Sequence, residues 1–298
     1  MLSLVVCSTN KTYLKSLKES VAATICMEHE WLIWDNRERN LGLCNVYNQM
    51  ASLARFPFLC FLHEDLILQT NRWDALLINF FQHNPEVALV GVAGGKFKSR
   101  LYSGWYTGLP SLDYYHINHF DGVRTHLLSQ PNNWEHPFEK VACIDGVFML
   151  CRREAWEQNK FDENLLKGFH FYDIDFSLRI AQQHTVVVTN QINLVHLTKG
   201  GDYGEVWAQE AIRYHHARQK LLPFAVGACN KEKADAAVAN YWLDWLKNFP
   251  IKPTTRWRWV TEQGLLSQPA LWYAVTKFLL YKPLRLKALH EWFKKKAP

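Results

Sequence analysis

Four short stretches of the chain carry side chains whose types and spacing could do chemistry. In Leu62-His63-Glu64-Asp65, two acids follow an apolar run at 58–62. Acids at the carboxyl end of a buried strand sit where open α/β sheets bind ligands. Asp65 there could hold a hard divalent cation against the charge that grows on a departing diphosphate. The same residues would also suit a solvated turn. In Gly168-Phe169-His170-Phe171-Tyr172-Asp173-Ile174-Asp175-Phe176-Ser177-Leu178-Arg179, acids gather at a helix start, where the macrodipole favours an ionised carboxylate. Asp173 is thereby placed to take a proton from an attacking hydroxyl. Asp175 stands four residues before Arg179, and an i,i+4 ion pair accounts for it. In Val195-His196-Leu197-Thr198-Lys199-Gly200-Gly201, a histidine closes a strand before a glycine turn; His196 could ligate a metal, touch a phosphate or be structural. Ser8-Thr9-Asn10 and Asp35-Asn36, ending the first two strands, are where a nucleotide's base and ribose would be held, and both also read as ordinary turns.

Apolar runs at 2–7, 31–34, 58–62 and 87–92 alternate with amphipathic stretches at 12–22, 45–55 and 73–84, which predicts an α/β fold built on a parallel sheet. Residues 96–140 lose periodicity and are rich in Tyr, Trp, Pro, Asn and Gly, the pattern of a long loop region that houses part of a substrate pocket. A second ordered block follows: a strand over 144–151, a short helix over 153–158, a helix from Asp175 to residue 181, strands at 185–188 and 192–195, and a helix over 206–221. The sheet domain is expected to span 1–222, leaving 223–298 as a helical, basic, Trp-rich extension with a helix over 237–249.

With 298 residues, 48% of them hydrophobic, the chain can bury a sizeable core. Seven cysteines stand singly with no C-x-x-C pair, which fits reduced core thiols better than a disulfide framework. No basic segment leads into a long apolar run at the start, which predicts a cytoplasmic protein, and no run of 18 apolar residues would span a bilayer. The net charge of +6 is uneven: residues 251–298 carry a net +8, and the rest is about neutral. Beyond Pro283, the residues Leu284, Leu286, Leu289, Trp292 and Phe293 interleave with Arg285, Lys287 and Lys294 to Lys296. That pattern suits an amphipathic helix lying on an anionic membrane surface, or a terminal helix packed on its own domain. There is no G-x-G-x-x-G, no Walker lysine loop, no zinc-type Cys/His cluster and no G-x-S-x-G elbow, so the usual dinucleotide, P-loop, zinc and hydrolase machinery is missing.

Taken in order, several segments resemble the family 2 type of glycosyltransferase with a GT-A fold, especially the bacterial group in which a His-x-Asp replaces the usual Asp-x-Asp. They are Asn40-Leu41-Gly42 with Asn45 and Asn48, Phe61-Leu62-His63-Glu64-Asp65, Val90-Gly91-Val92-Ala93-Gly94, Ile144-Asp145-Gly146-Val147-Phe148-Met149-Leu150, Phe161-Asp162-Glu163, His170 to Arg179, and His196. About the first 200 residues are covered. The resemblance implies a GT-A fold, Rossmann-like with a mostly parallel central sheet flanked by helices, and transfer of a sugar from a nucleotide-sugar donor, a UDP-sugar, to a glycan or lipid-linked acceptor. It implies that Asp65 and His196, with His63, hold Mn²⁺ or Mg²⁺, and that Asp173 is the base of an inverting displacement. Asp145 would face the donor sugar or acceptor as a second catalytic carboxylate. Asp35 would contact the nucleobase side of the donor, and Ser8, Thr9, Asn45, Glu64 and Gly146 would line it. His63 stands where the family's first metal-motif Asp often lies, and Tyr172 where a Glu often precedes the base, so Glu64 could coordinate instead and His63 touch only phosphate.

Trp105 and Tyr172, with Tyr106 and Trp134, could offer aromatic faces to an acceptor sugar, or pack in the core. The basic tail adds an anionic membrane surface on the inner face of the cell membrane to the expected partners, and nucleic acid is not among them. Two other readings share the sheet. A sugar nucleotidyltransferase should carry a Gly-rich basic loop where this chain has Ser8-Thr9-Asn10-Lys11. A non-catalytic carbohydrate-binding relative would have lost Asp65, Asp173 and His196.

Overall fold

A computed structural model of the chain describes residues 1–120, 122–129, 134–198 and 201–281. Its strands are β1 Leu2–Ser8, β2 His29–Asp35, β3 Phe58–Leu62, β4 Leu66–Leu68, β5 Val87–Gly91, β6 Ala93–Gly95, β7 Phe97–Lys98 and β8 Asp113–Phe120, followed by β9 Thr125–Ser129, β10 Phe138–Lys140, β11 Cys143–Ile144, β12 Phe148–Arg152, β13 Thr185–Thr189, β14 Leu194–His196 and β15 Phe224–Ala225. The α-helices are α1 Lys11–Thr24, α2 Leu43–Ser52, α3 Trp73–His83, α4 Arg153–Gln158, α5 Tyr172–Ala181, α6 Glu205–Arg218, α7 Lys231–Leu246, α8 Pro253–Glu262 and α9 Trp272–Leu280.

Seven strands form the central sheet in the order β10-β13-β5-β12-β3-β1-β2. Strands β2, β1, β3, β5 and β13 run one way, while β12 and β10 run against their neighbours. The sheet is thus mostly parallel rather than wholly so. The departure begins where one strand was expected over 144–151. The chain breaks at Asp145-Gly146-Val147, so that β11 joins a second sheet and β12 enters the central one between β3 and β5. An Asx turn makes the break, with the Val147 N–H donating to Asp145 Oδ1 at 3.0 Å.

The apolar runs are continuous because both faces of the sheet are covered. Along β1, β3 and β12, successive side chains feed opposite cores: Leu4, Cys60 and Leu150 pack with α1 and α3, whereas Val5, Phe61 and Met149 pack with α2 and α5. The cysteines are free, and Cys44, Cys60, Cys143 and Cys151 are buried.

The second sheet runs β11-β6-β8-β14-β4, with β9 paired to β8. Part of it comes from residues 96–140, where a long loop was expected. The reason lies in β8, whose sequence Asp-Tyr-Tyr-His-Ile-Asn-His-Phe carries little apolar alternation and is only partly buried.

The helix expected over 237–249 starts earlier, at Lys231. The Asn230 side chain accepts the Lys233 N–H at 3.0 Å and caps the first turn. Helices α6 to α9 share one core with the central sheet's α5 face: Trp242, Leu246, Trp259 and Phe278 belong to the same cluster as Phe176 and Tyr214. Trp207 of α6 stacks on Trp242 of α7 with centroids 4.9 Å apart. Whatever division is drawn at residue 222, packing across it is continuous. The amphipathic pattern read beyond Pro283 lies outside the described residues.

Asp175 is buried at 1% exposure. Its oxygens accept from Arg179 Nε at 2.8 Å and Arg218 Nε at 2.5 Å, and Arg218 also reaches Asp162 at 2.7 Å. This network ties α5 to α6. Asp175→Ala would leave Arg179 without a carboxylate partner and Arg218 with Asp162 alone, and an equilibrium urea melt should show a loss of about 1–3 kcal/mol.

Candidate active site

Local pairing brings the first constellation together. Strand β4 starts directly after Asp65 and pairs antiparallel with β14, placing His196 opposite Leu66, and the Leu197 N–H donates to the Asp65 carbonyl at 2.8 Å. As a result His196 Nε2 lies 3.2 Å from Asp65 Oδ1, and His63 Nδ1 lies 4.0 Å from the same oxygen. One donor atom from each of the three residues falls within 4.8 Å of the others.

Two imidazoles and one carboxylate form a mixed N/O donor set suited to a divalent first-row cation. Their surroundings fit that use. Burial, then the neighbouring His196, pushes the His63 pKa down, which keeps its ring neutral, as a ligand must be. With Nδ1 turned to Asp65, His63 Nε2 makes a hydrogen bond of 2.8 Å with Tyr172 Oη, an outer contact that orients the ring. Burial opposes ionisation of Asp65, yet the hydrogen bond from His196 holds its carboxyl below the usual range.

The second constellation is a pair of carboxylates. Helix α5 begins after Phe171, whose left-handed φ of 65° turns the chain sharply, and Asp173 lies in the first turn. Asp173 Oδ2 accepts the Gly146 N–H at 2.8 Å, and Oδ1 accepts the Ile174 N–H at 2.9 Å. Burial, then repulsion from Asp145, raises its pKa from 3.8 to about 7. Asp145 Oδ2 accepts Trp105 Nε1–H at 2.9 Å. Gly146 cannot carry a side chain here, because a Cβ would run into Tyr172 Oη and approach Asp173 Cβ to 3.0 Å. Asp145, Asp173, Tyr172, Trp105, His63 and His196 all line one cavity of about 660 Å³, within the range of ligand pockets.

Other expected residues lie around this centre. Glu64 braces the adjoining strand end: its carboxylate accepts from Ser8 Oγ at 2.7 Å, Thr9 Oγ1 at 2.8 Å and Asn10 N at 2.8 Å, and it is not among the three clustered donors. Asp35 pairs in register with Ser8, is exposed, and is clamped by Arg37 at 2.5 and 2.8 Å. The Arg37 hydrogen bonds lower its pKa to about 2. Asn45 spends its amide on Glu163 and Gln49. None of these three side chains, Glu64, Asp35 and Asn45, reaches the cavity wall. Tyr172 is only 4% exposed, and Trp134 packs on Tyr114 outside the cavity.

Sequence reasoning passed over several lining residues. His119 of β8 lies 5.2 Å from the His196 ring, hidden in the stretch read as loop. Tyr203, Trp207, Tyr241, Trp242 and Trp245 also line the cavity. The richness in Trp beyond residue 240 was the one visible signal for Tyr241, Trp242 and Trp245.

Residues 3–216 match the profile of the Glycosyltransferase like family. The chain belongs to that family. No curated protein matches it. Among solved structures, GalNAc-T7 with UDP, GalNAc and Mn²⁺ is similar over 99% of this chain at 11% identity and a TM-score of 0.52. This chain spans 56% of the GalNAc-T7 chain, and at that identity the likeness shows a shared GT-A-type fold. A197 from STIV is matched over 66% of this chain and 85% of that one, at 12% identity and a TM-score of 0.38.

The raised Asp173 pKa has a stability consequence. The unfolded carboxyl loses its proton near 3.8 and the folded one near 7, so between these values the folded state binds more protons. Stability therefore falls as pH rises through that window. In metal-free protein, Asp173→Asn should raise the unfolding free energy measured by urea melts at pH 8 by on the order of 2–4 kcal/mol, and change it little at pH 4. Equal shifts at both pH values would contradict the assigned pKa.

Proposed function

We propose that the chain is a metal-dependent, inverting glycosyltransferase that moves a sugar from a UDP-sugar to a hydroxyl of a glycan or lipid-linked acceptor, in polysaccharide biosynthesis. The observation that carries this reading is a single cavity shared by a carboxylate of near-neutral pKa, Asp173, and the histidines of the His63, Asp65 and His196 set. Family membership supports transfer chemistry. The UDP and Mn²⁺ solved with GalNAc-T7 support the donor and the metal by likeness of fold.

In this reading Asp65, His196 and His63 hold the cation. When bound, it stabilises the negative charge of the departing diphosphate. Two imidazoles beside one carboxylate favour Mn²⁺ over Mg²⁺, which prefers oxygen ligands. Asp173 takes the proton of the acceptor hydroxyl as that oxygen attacks the anomeric carbon. A base whose pKa lies near the working pH is both ionised and basic enough for the task. The Gly146 and Ile174 N–H groups aim its carboxylate, and Asp145, steadied by Trp105, accepts hydrogen bonds from sugar hydroxyls. Ser8 and Thr9, tied down by Glu64, form the nucleotide edge with Asp35 and Asn45, and Tyr172 supports the acceptor side through His63.

Transfer from UDP-sugars should rise with pH through about 7, vanish with EDTA, and return more fully with Mn²⁺ than with Mg²⁺. Asp173→Asn should lower turnover by about 10²–10⁴-fold while keeping the rise in melting temperature caused by UDP and Mn²⁺. Normal turnover in that variant would remove Asp173 from its role. Pyrophosphate release from a nucleoside triphosphate would favour the nucleotidyltransferase reading instead.

We also propose that the enzyme works in the cytoplasm, docked on the anionic inner face of the cell membrane. No described helix is long and apolar enough to cross a bilayer. On α9, the last described helix, Trp272, Tyr273 and Leu280 are exposed, and the chain runs from there into the basic segment after residue 281. Aromatic side chains beside lysines suit a headgroup interface. Intact protein should co-sediment with vesicles containing phosphatidylserine, and protein truncated after Leu280 should do so less; equal sedimentation would reject docking.

A further inference from the structure

One wall of the cavity is a succession of aromatic rings that ends in the C-terminal extension. It starts at Trp105, whose indole N–H is bonded to Asp145. Trp105 meets Tyr106 at a centroid separation of 5.6 Å, Tyr106 meets Tyr241 at 4.7 Å, and Tyr241 lies 6.4 Å from Trp245 with the two rings only 9° from parallel. Tyr241 and Trp245 are four residues apart on α7, so the helix itself presents both rings on one face. Trp245 is 40% exposed although it lines the cavity. Both residues lie beyond the segment 3–216 that matches the family.

We infer that this wall is the acceptor subsite and that it binds a glycan of more than one sugar, with Tyr241 and Trp245 stacking on residues away from the reacting hydroxyl. The inference rests on the transferase reading above. A pyranose presents an apolar C–H face about as wide as one aromatic ring, so four rings in succession serve more than one sugar. Asp202 and His170 share the same cavity and can accept or donate hydrogen bonds at the hydroxyl edges of such a ligand. A lipid tail would offer no polar partner to either group while displacing water from them, at a cost that selects against it. The ring succession also starts at the carboxylates and ends at an exposed side chain, which sets a direction: the acceptor's reacting end lies at Asp145 and Asp173, and its remainder leads out past Trp245. The extension thus supplies the outer part of the acceptor wall, while its inner part, Trp105 and Tyr106, lies in the family segment.

The test uses the full chain loaded with UDP and Mn²⁺ on an array of mono-, di- and trisaccharide glycosides, alongside Trp245→Ala and Trp245→Phe. Di- and trisaccharides should be retained better than the monosaccharides that end them. Trp245→Ala should weaken retention by roughly 3- to 10-fold, the size of a lost ring contact, and Trp245→Phe should preserve most of it. The half-exposed position of Trp245 makes unfolding of the variants easy to exclude, because UDP and Mn²⁺ should raise the melting temperature of all three proteins alike. Absence of any retained glycan, no gain with length, or equal retention by Trp245→Ala would overturn the inference. If no nucleoside diphosphate stabilises even the unaltered protein, the transferase reading fails as well; if UDP stabilises and glycans are not held, only the acceptor assignment falls.

Discussion

The antiparallel pairing of β14 with β4 places His196 across the ladder from Leu66, and so beside Asp65, and the rest of the site is arranged around that contact. A slip of one residue would send the His196 ring to the other side of the second sheet. The backbone bond from Leu197 to the Asp65 carbonyl and the buried Leu68 and Leu194 hold the register. From there the connections run outward without a gap. His63 faces Asp65 and touches Tyr172, Tyr172 opens the helix that carries Asp173, and Asp173 holds the Gly146 N–H beside Asp145. A shift of any one member is felt by its neighbours, so the histidines, Asp65 and the two carboxylates keep fixed separations.

Burial treats the two key carboxylates differently. Asp65 is held in its charged form by imidazoles on either side, whereas Asp173 is buried beside a second carboxylate and keeps its proton until about pH 7. The protein thus has one acid that stays ionised and can attract a cation, and one that titrates where proton transfer is useful. Contrast between titratable groups in one cavity is how acid and base roles are commonly divided.

The C-terminal helices extend this centre. Arg256 is 5% exposed and donates to four carbonyls, those of Phe278, Tyr281, Lys247 and Phe249. One guanidinium thereby fastens the ends of α7 and α9 to α8. That clamp, with the stacked pair Trp207 and Trp242, gives α7 a fixed stance against the sheet domain. The rings it presents to the cavity therefore stand on a fastened helix, and a surface fixed in advance lowers the ordering cost of binding.

Much of the framework was legible along the chain. Strands at 2–7, 58–62 and 87–92 announced themselves as unbroken apolar runs because both faces of the central sheet are covered, and Asp175 was readable as an ion-pair partner because Arg179 follows one helical turn later. The acids of interest were visible for a related reason: they stand at strand ends and a helix start, where local sequence alone marks a change of structure. The strand broken at Gly146 was not legible, because its apolar residues serve two sheets in succession. Nor was β8, whose aromatic and polar residues hide strand periodicity. By its residue types and their order, the sequence determined the fold class, the family and a short set of candidate acids and histidines. Only the tertiary structure decided which of them share a cavity, that Glu64 braces a turn while His63 joins Asp65, and that rings from α7 complete the wall. Such meetings depend on strand register and helix docking between segments far apart in the chain, and those are set by the packing of the whole molecule.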